Sequence, residues 1–263
     1  MKIKTNGLEL NYVVEGEGPW LVMSHSLACN ISMWDGQVRL LKTKYRVLRF
    51  DTRGHGGSDA PDDAYTLDML SGDLLGLMDG LGVAKAHYVG LSMGGMIGMT
   101  FALRHPGRFS SLVLCDTSSR VPPEAGPVWE GRIKIAMEQG MEPLVEPTLQ
   151  RWFTEPFYKS SKPMMARVGQ MIRDTPVPGY IGCCHAIPKI NLTDKLGGIK
   201  CPVQVIVGDQ DVGTPVVMSR AIQNAIPGSE LVIIPSASHL SNLEQPQAFN
   251  NALADFLGRH PAG

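Results

Sequence analysis

Val89-Gly90-Leu91-Ser92-Met93-Gly94-Gly95 is the stretch on which the fold turns. It has the form Gly-x-Ser-x-Gly. An apolar lead-in, His87-Tyr88-Val89, precedes it, and a run of helical character, Met96-Ile97-Gly98-Met99-Thr100-Phe101-Ala102-Leu103, follows it. A strand, a sharp turn and a helix are therefore expected in quick succession. The glycines have a steric reason. A turn tight enough to lift the Ser92 hydroxyl above a sheet edge strains the serine backbone. A side chain two residues before or after would collide with the neighbouring strand or helix. The same turn aims the Met93 N–H and the positive end of the helix at the place where an oxyanion would form. A glycine-rich turn with an incidental serine has the same five letters, and the flanking strand and helix are what favour a nucleophile.

The flanks extend this pattern along the chain. Leu8 to Val14 alternates apolar and polar residues before the turn Gly16-Glu17-Gly18-Pro19, as a first hairpin strand would. Trp20–Ser24 is a short continuous apolar run, the mark of a strand buried on both faces, and Tyr45–Phe50, Ser111–Cys115, Val203–Val207 and Leu231–Ile234 read as further strands. Helical spacing covers Thr66 to Leu81, about Val216–Ala225, and Gln247–Leu257. Strands alternating with helices predict an α/β fold with a mostly parallel central sheet flanked by helices. The rhythm breaks between about Val121 and Leu192, where prolines and methionines accumulate and helical pieces such as Trp129–Glu138 and Glu142–Phe153 replace strands. The expected organisation is a core of residues 1–120 and 193–263 with a helical cap insertion at 121–192.

Composition excludes several function classes. A formal charge of -1 gives no reason to expect nucleic acid or an acidic membrane surface as partner. No apolar run approaches the length of a membrane span, and the first residues lack the apolar core of a signal peptide. The five cysteines are an odd number in no metal-binding spacing, so no metal is expected and a reducing, cytoplasmic setting fits.

A serine hydroxyl needs a base, and the base needs an orienting carboxylate. His239 follows the last strand on a loop at the carboxyl edge of the sheet, where ligands bind in such folds. His25 lies on the loop expected to hold an oxyanion, and His55 is suited to tying the glycine-rich loop Asp51–Ser58 together. His185, in the cap, is placed either to line the pocket or to serve structurally. Asp211 follows the strand before His239, giving the order Ser92, Asp211, His239. Asp116, after the strand that follows Ser92, is the rival for the acid, and Asp209 is read as a turn or cap residue. The two oxyanion donors expected are the N–H groups of Met93 and Leu27.

These motifs resemble the α/β-hydrolase superfamily. Within it the chain is similar to the 3-oxoadipate enol-lactonases. The likeness rests on Met33-Trp34-Asp35, Arg49-Phe50-Asp51-Thr52-Arg53-Gly54-His55-Gly56, the Ser92 motif, Arg151-Trp152-Phe153-Thr154, Gly179-Tyr180 and His239-Leu240-Ser241-Asn242-Leu243-Glu244-Gln245-Pro246. The chain departs at His25-Ser26-Leu27-Ala28, where that family tends to carry Asn-Ser-Leu-Gly. The resemblance implies a cofactor-independent serine hydrolase opening a small-molecule ester or lactone through an acyl-enzyme. It also implies a pocket including Ser26, Trp34 and Trp152, and a cation, Arg132 or Arg151, for the substrate carboxylate. The alternatives are a lactonase for N-acyl homoserine lactones, whose tail the cap methionines would shape around, or a broad carboxylesterase. A perhydrolase and a ligand receptor on the same fold come behind them.

Overall fold

The continuous apolar runs become one eight-stranded sheet in the computed structural model, which describes residues 1–261. The strands are β1 (Lys2–Thr5), β2 (Leu8–Glu15), β3 (Trp20–Ser24), β4 (Arg46–Phe50), β5 (Ala86–Leu91), β6 (Phe109–Cys115), β7 (Val203–Gly208) and β8 (Glu230–Ile234). They lie in the order β1-β2-β4-β3-β5-β6-β7-β8. Pairing from β4 across to β8 is parallel, whereas β2 runs antiparallel to both β1 and β4. The central strands are buried on both faces: Leu21, Tyr88, Val89, Leu112, Val113 and Val205 are all fully inaccessible. That is why they read as continuous apolar runs and not as alternating ones.

The first hairpin differs from expectation. β2 makes its hairpin with β1, through Asn6 and Gly7 at positive φ, and not with β3 across Gly16–Pro19. β3 instead enters the sheet beyond β4, parallel to it, because its apolar residues need cover on both faces.

Helices α1 (Asp35–Leu41), α2 (Leu67–Gly80) and α3 (Met93–Arg104) separate the early strands. The α2 helix starts where Thr66 Oγ1 accepts from the Met69 N–H and buries Leu70, Leu74, Leu77 and Met78 on one stripe. Between β6 and β7 come α4 (Gly126–Gln139), α5 (Glu142–Trp152), α6 (Glu155–Ser160), α7 (Lys162–Arg173) and α8 (Val177–Ala186). Each of these five carries a proline in its first turn, where the missing N–H costs nothing. Five of the prolines that break the strand rhythm are thus helix starts, whereas Pro147 lies inside α5. The chain closes with α9 (Val216–Ala225), α10 (Ser241–Glu244) and α11 (Pro246–Arg259).

The strand order sets the site. From β3 the chain moves outward to β4, then crosses back to place β5 on the other side of β3. The loops leaving β3 and β5 therefore diverge and open a crevice at their carboxyl ends.

Candidate active site

Ser92 occupies the turn between β5 and α3 with φ 56° and ψ −114°, a left-handed conformation that a non-glycine residue adopts only at a cost. The surroundings enforce it. A Cβ on Gly90 would lie 2.3 Å from the Gly94 carbonyl oxygen, and one on Gly94 would lie 2.3 Å from that of Ser24. The Ser92 N–H donates to Cys115 O (2.8 Å) and the Thr117 hydroxyl donates to Ser92 O (2.7 Å). The elbow is therefore tied to β6.

The serine faces its expected partners. Ser92 Oγ lies 2.9 Å from His239 Nε2, and His239 Nδ1 lies 2.8 Å from Asp211 Oδ2. An ionised carboxylate only accepts, so Nδ1 carries the imidazole proton and Nε2 is free to accept from the serine hydroxyl. Asp211 also accepts from the N–H groups of Gly213 and Thr214 (2.7 and 2.9 Å) and from the Thr214 hydroxyl (2.6 Å). Burial raises its pKa. The charge and hydrogen bond of His239, with the hydrogen bonds of Thr214, outweigh that and bring it down to about 2.

Asp116 does not reach the imidazole. Its Oδ1 accepts from Gly208 N–H (2.8 Å) and its Oδ2 from the Ser241 hydroxyl (2.5 Å), so it braces the loops carrying Asp211 and His239. Burial, and then the charge of Asp211, push its carboxyl well above the ordinary range. Asp209 accepts from Ala237 N–H (3.2 Å), joining the same two loops.

The loop after β3 is fixed by two buried histidines. Thr52 N–H donates to His25 Nε2 (2.9 Å), which leaves His25 Nδ1–H to donate to Ser26 O (2.7 Å). Ala28 N–H donates to His55 Nε2 (3.0 Å). His55 thus ties the glycine-rich loop to this one, and burial pushes its pKa down to about 3. Leu27 and Met93 are both buried, and among the described residues neither N–H donates to a protein acceptor. Buried amide donors without partners are rare and are available to a ligand.

A cavity of about 280 Å³ opens over Ser92 and His239, lined by Ser26, Leu27, Arg132, Arg151 and Trp152 among others. The Trp152 ring stacks near His239 at 6.0 Å between centroids. The Arg132 guanidinium sits 4.6 Å over the Trp129 ring. Burial, and then the charge of Arg132, pull Arg151 down to about 10. Among the described residues neither arginine forms an ion pair. Trp34 is a correction. It is fully buried against Phe249 of α11 and does not line the cavity. His185 is not among the lining residues either.

Three contributors escaped sequence reasoning. Thr214 was signalled only by an Asp-x-x-Thr spacing. Trp129 carried no local signal, and Glu244 stood only within the stretch His239–Pro246 that carries the resemblance, with no role attached to it. Among the described residues no cluster of three His, Cys, Asp or Glu is placed to hold a metal, and no helix is long and apolar enough to cross a membrane.

Comparison with known proteins identifies the fold family. The family model described as alpha/beta hydrolase fold matches residues 19–246. The chain is 35% identical over 252 residues to 3-oxoadipate enol-lactonase 2 of Acinetobacter baylyi, covering 95% of this chain and 93% of that protein. The crystal structure of the enol-lactonase from Burkholderia xenovorans LB400 superposes with a TM-score of 0.94 at 40% identity, covering 98% of this chain and all of that one (100%). A thermophilic esterase from Thermogutta terrifontis, solved with malate bound, superposes with a TM-score of 0.94 at 30% identity, covering 99% of each chain. The chain belongs to the α/β-hydrolase fold family and is a hydrolase of esters or lactones.

Proposed function

We propose that the chain is a serine hydrolase that opens an anionic lactone of the 3-oxoadipate enol-lactone type through an acyl-enzyme on Ser92. The observation that carries this is the unbroken series Ser92 Oγ, His239, Asp211, at 2.9 and 2.8 Å, opening into a cavity that also holds two guanidinium groups without carboxylate partners. His239 Nε2 takes the hydroxyl proton as Ser92 Oγ bonds to the lactone carbonyl carbon. The N–H groups of Leu27 and Met93 hold the resulting oxyanion. The ring C–O bond then breaks, and the departing ring oxygen receives the proton from His239. Water next gives a proton to His239 and its oxygen to the acyl carbon. The Ser92 ester bond breaks, and the serine regains its proton. The negative Asp211 holds the imidazole tautomer and supports the imidazolium in both halves. No cofactor enters any step.

Arg151 and Arg132 are assigned to the substrate carboxylate, with Trp152 and Ser26 completing the pocket wall. Two lactonase relatives and the dicarboxylate malate on a related esterase support an anionic substrate. Residues 121–192 are read as the cap over a core of 1–120 and 193–263. The buried free thiols Cys29, Cys115, Cys183 and Cys184 support a cytoplasmic setting.

The test is Ser92→Ala, which should remain folded and lose about three or more orders of magnitude in kcat. A phosphonate inhibitor should label Ser92 by mass spectrometry. Activity within tenfold of wild type would overturn the nucleophile. Rates compared on the enol-lactone, acyl homoserine lactones and aryl esters test the substrate class, which falls if the neutral acyl lactones turn over fastest.

A further inference from the structure

The two stretches most characteristic of the enol-lactonase likeness, Arg151–Thr154 and His239–Pro246, turn out to be two halves of one joint. Ser238, immediately before His239, donates its hydroxyl to Arg151 O (3.1 Å). Leu240, immediately after, donates its N–H to Trp152 O (3.2 Å). Glu244 closes the joint. One carboxylate oxygen accepts from the Thr154 N–H (3.0 Å) and from the Thr154 hydroxyl, and the other from the Ser238 N–H (2.9 Å). Both chain neighbours of His239 are therefore pinned to the end of α5, and Trp152 of that same end stacks near the imidazole.

Glu244 is 4% exposed, and among the described residues no cation lies within 4 Å of it. A carboxylate buried on hydrogen bonds alone costs desolvation that an apolar residue of the same size avoids. Its three donors are all on the two segments that frame His239. Adhesion between α5 and the core needs no charge here, because Leu144, Val145, Leu149 and Trp152 are buried along the same helix.

We propose that Glu244 is a positioning residue that locks the Arg151–Thr154 segment to the His239 loop, so that seating the helical segment and aligning the base are one event. This rests on the assignment of Ser92 and His239 as nucleophile and base. His239 serves both halves of the reaction, so loosening its loop slows acylation and deacylation together and leaves substrate binding largely intact.

The experiment uses the full chain and a p-nitrophenyl ester. Glu244→Gln keeps the size but sets an amide N–H₂ against either the Ser238 N–H or the Thr154 donors. Thr154→Val removes only the hydroxyl, and Thr154→Ser restores it. The expected result is a fall in kcat of about ten- to a hundredfold for Glu244→Gln and about three- to tenfold for Thr154→Val, since small misplacements of catalytic groups cost rates of this size. KM should stay within about threefold, single-turnover acylation and deacylation should slow in parallel, and Thr154→Ser should match wild type. A change in melting temperature with kcat unaltered in both variants, or a change in KM alone, would overturn the proposal and leave Glu244 a structural residue. Ser92→Ala, run alongside, separates the failures. If it is dead while the joint variants are wild-type-like, the joint alone falls. If it is active, the nucleophile assignment falls and takes the joint with it.

Discussion

Replacing Arg151 by methionine should make the protein more stable and, for an anionic lactone, a poorer enzyme. Arg151 faces the cavity with Arg132 nearby and no ion pair among the described residues. Burial, and then repulsion from Arg132, lower its pKa from 12.5 to about 10. That drop corresponds to roughly 3 kcal/mol of uncompensated cost. Its sign follows from linkage. At pH 7 the guanidinium is charged in both the folded and unfolded chain, so the cost is fully present and fades only as pH rises above about 10. Methionine keeps an apolar stem and removes the charge. Each recovered kcal/mol should raise Tm by about 2–4 °C in a chain of this size. The loss appears in catalysis. A charge-assisted hydrogen bond to the substrate carboxylate contributes about 1.5–3 kcal/mol, or roughly ten- to a hundredfold in kcat/KM. A neutral p-nitrophenyl ester should change by less than about threefold, because it has no charge to pair. Thermal melts and parallel kinetics on the two substrates measure both halves. A Tm below wild type would refute the desolvation argument, and equal losses on both substrates would refute carboxylate binding.

Asp211→Asn should lower kcat by about a thousandfold or more, because the charge facing His239 Nδ1 is removed. Asp116→Asn should stay within about fivefold, since Asp116 meets the Gly208 N–H and the Ser241 hydroxyl and not the imidazole. The reverse order in kinetics on any aryl ester would transfer the acid role. Stability should begin to fall below pH 6.5 and not only below pH 4. His55 titrates at about 3 and His87 at about 4, both lowered mainly by burial, so the unfolded chain binds protons the folded one refuses over that window. His55 alone then costs roughly 2–3 kcal/mol at pH 4.5 relative to pH 7. A Tm that is flat from pH 7 to 4.5 would contradict neutral buried histidines.

The sheet and the three reacting side chains were legible because each lies at the carboxyl end of a continuous apolar run. Ser92, Asp211 and His239 follow β5, β7 and β8; burial on both faces makes β5 and β7 conspicuous, and β8 stands out by its apolar run although it is an edge strand. The cap helices were less so. In α7 the buried Met165, Val168, Met171 and Ile172 keep helical spacing, but flanking prolines mask where the helix begins. β1 has the buried-versus-exposed pattern of an edge strand with two lysines and a single aliphatic residue, too little for a hydrophobic signal. Trp34 was misassigned because its burial depends on Phe249, contributed by α11 at the other end of the chain. Glu244 failed for the same reason. Nothing near it in sequence tells that its donors include Thr154.

The strain in the backbone follows the same geography. Among the described residues five non-glycine residues have positive φ: Asn6, Ala28, Ser92, Asp116 and Ser236. Asn6 serves the β1–β2 turn. The other four follow β3, β5, β6 and β8, all at the carboxyl edge of the sheet. Each costs about 1–2 kcal/mol relative to a relaxed conformation. Hydrogen bonds from the neighbouring elements hold three of them: Ala28 N–H on His55, Ser92 N–H on Cys115 O and Asp116 N–H on Ile206 O. A chain leaving a parallel strand in relaxed extended geometry carries its amides and side chains along the strand axis, away from a shared centre. Left-handed residues bend the loops after β3 and β5 back over the sheet, so that a buried amide pair and a serine converge on one crevice, while the one after β6 sets Asp116 against Gly208 and Ser241. The conformational cost gathers at the edge where convergence is needed, and Asn6 alone among these residues lies in a hairpin turn.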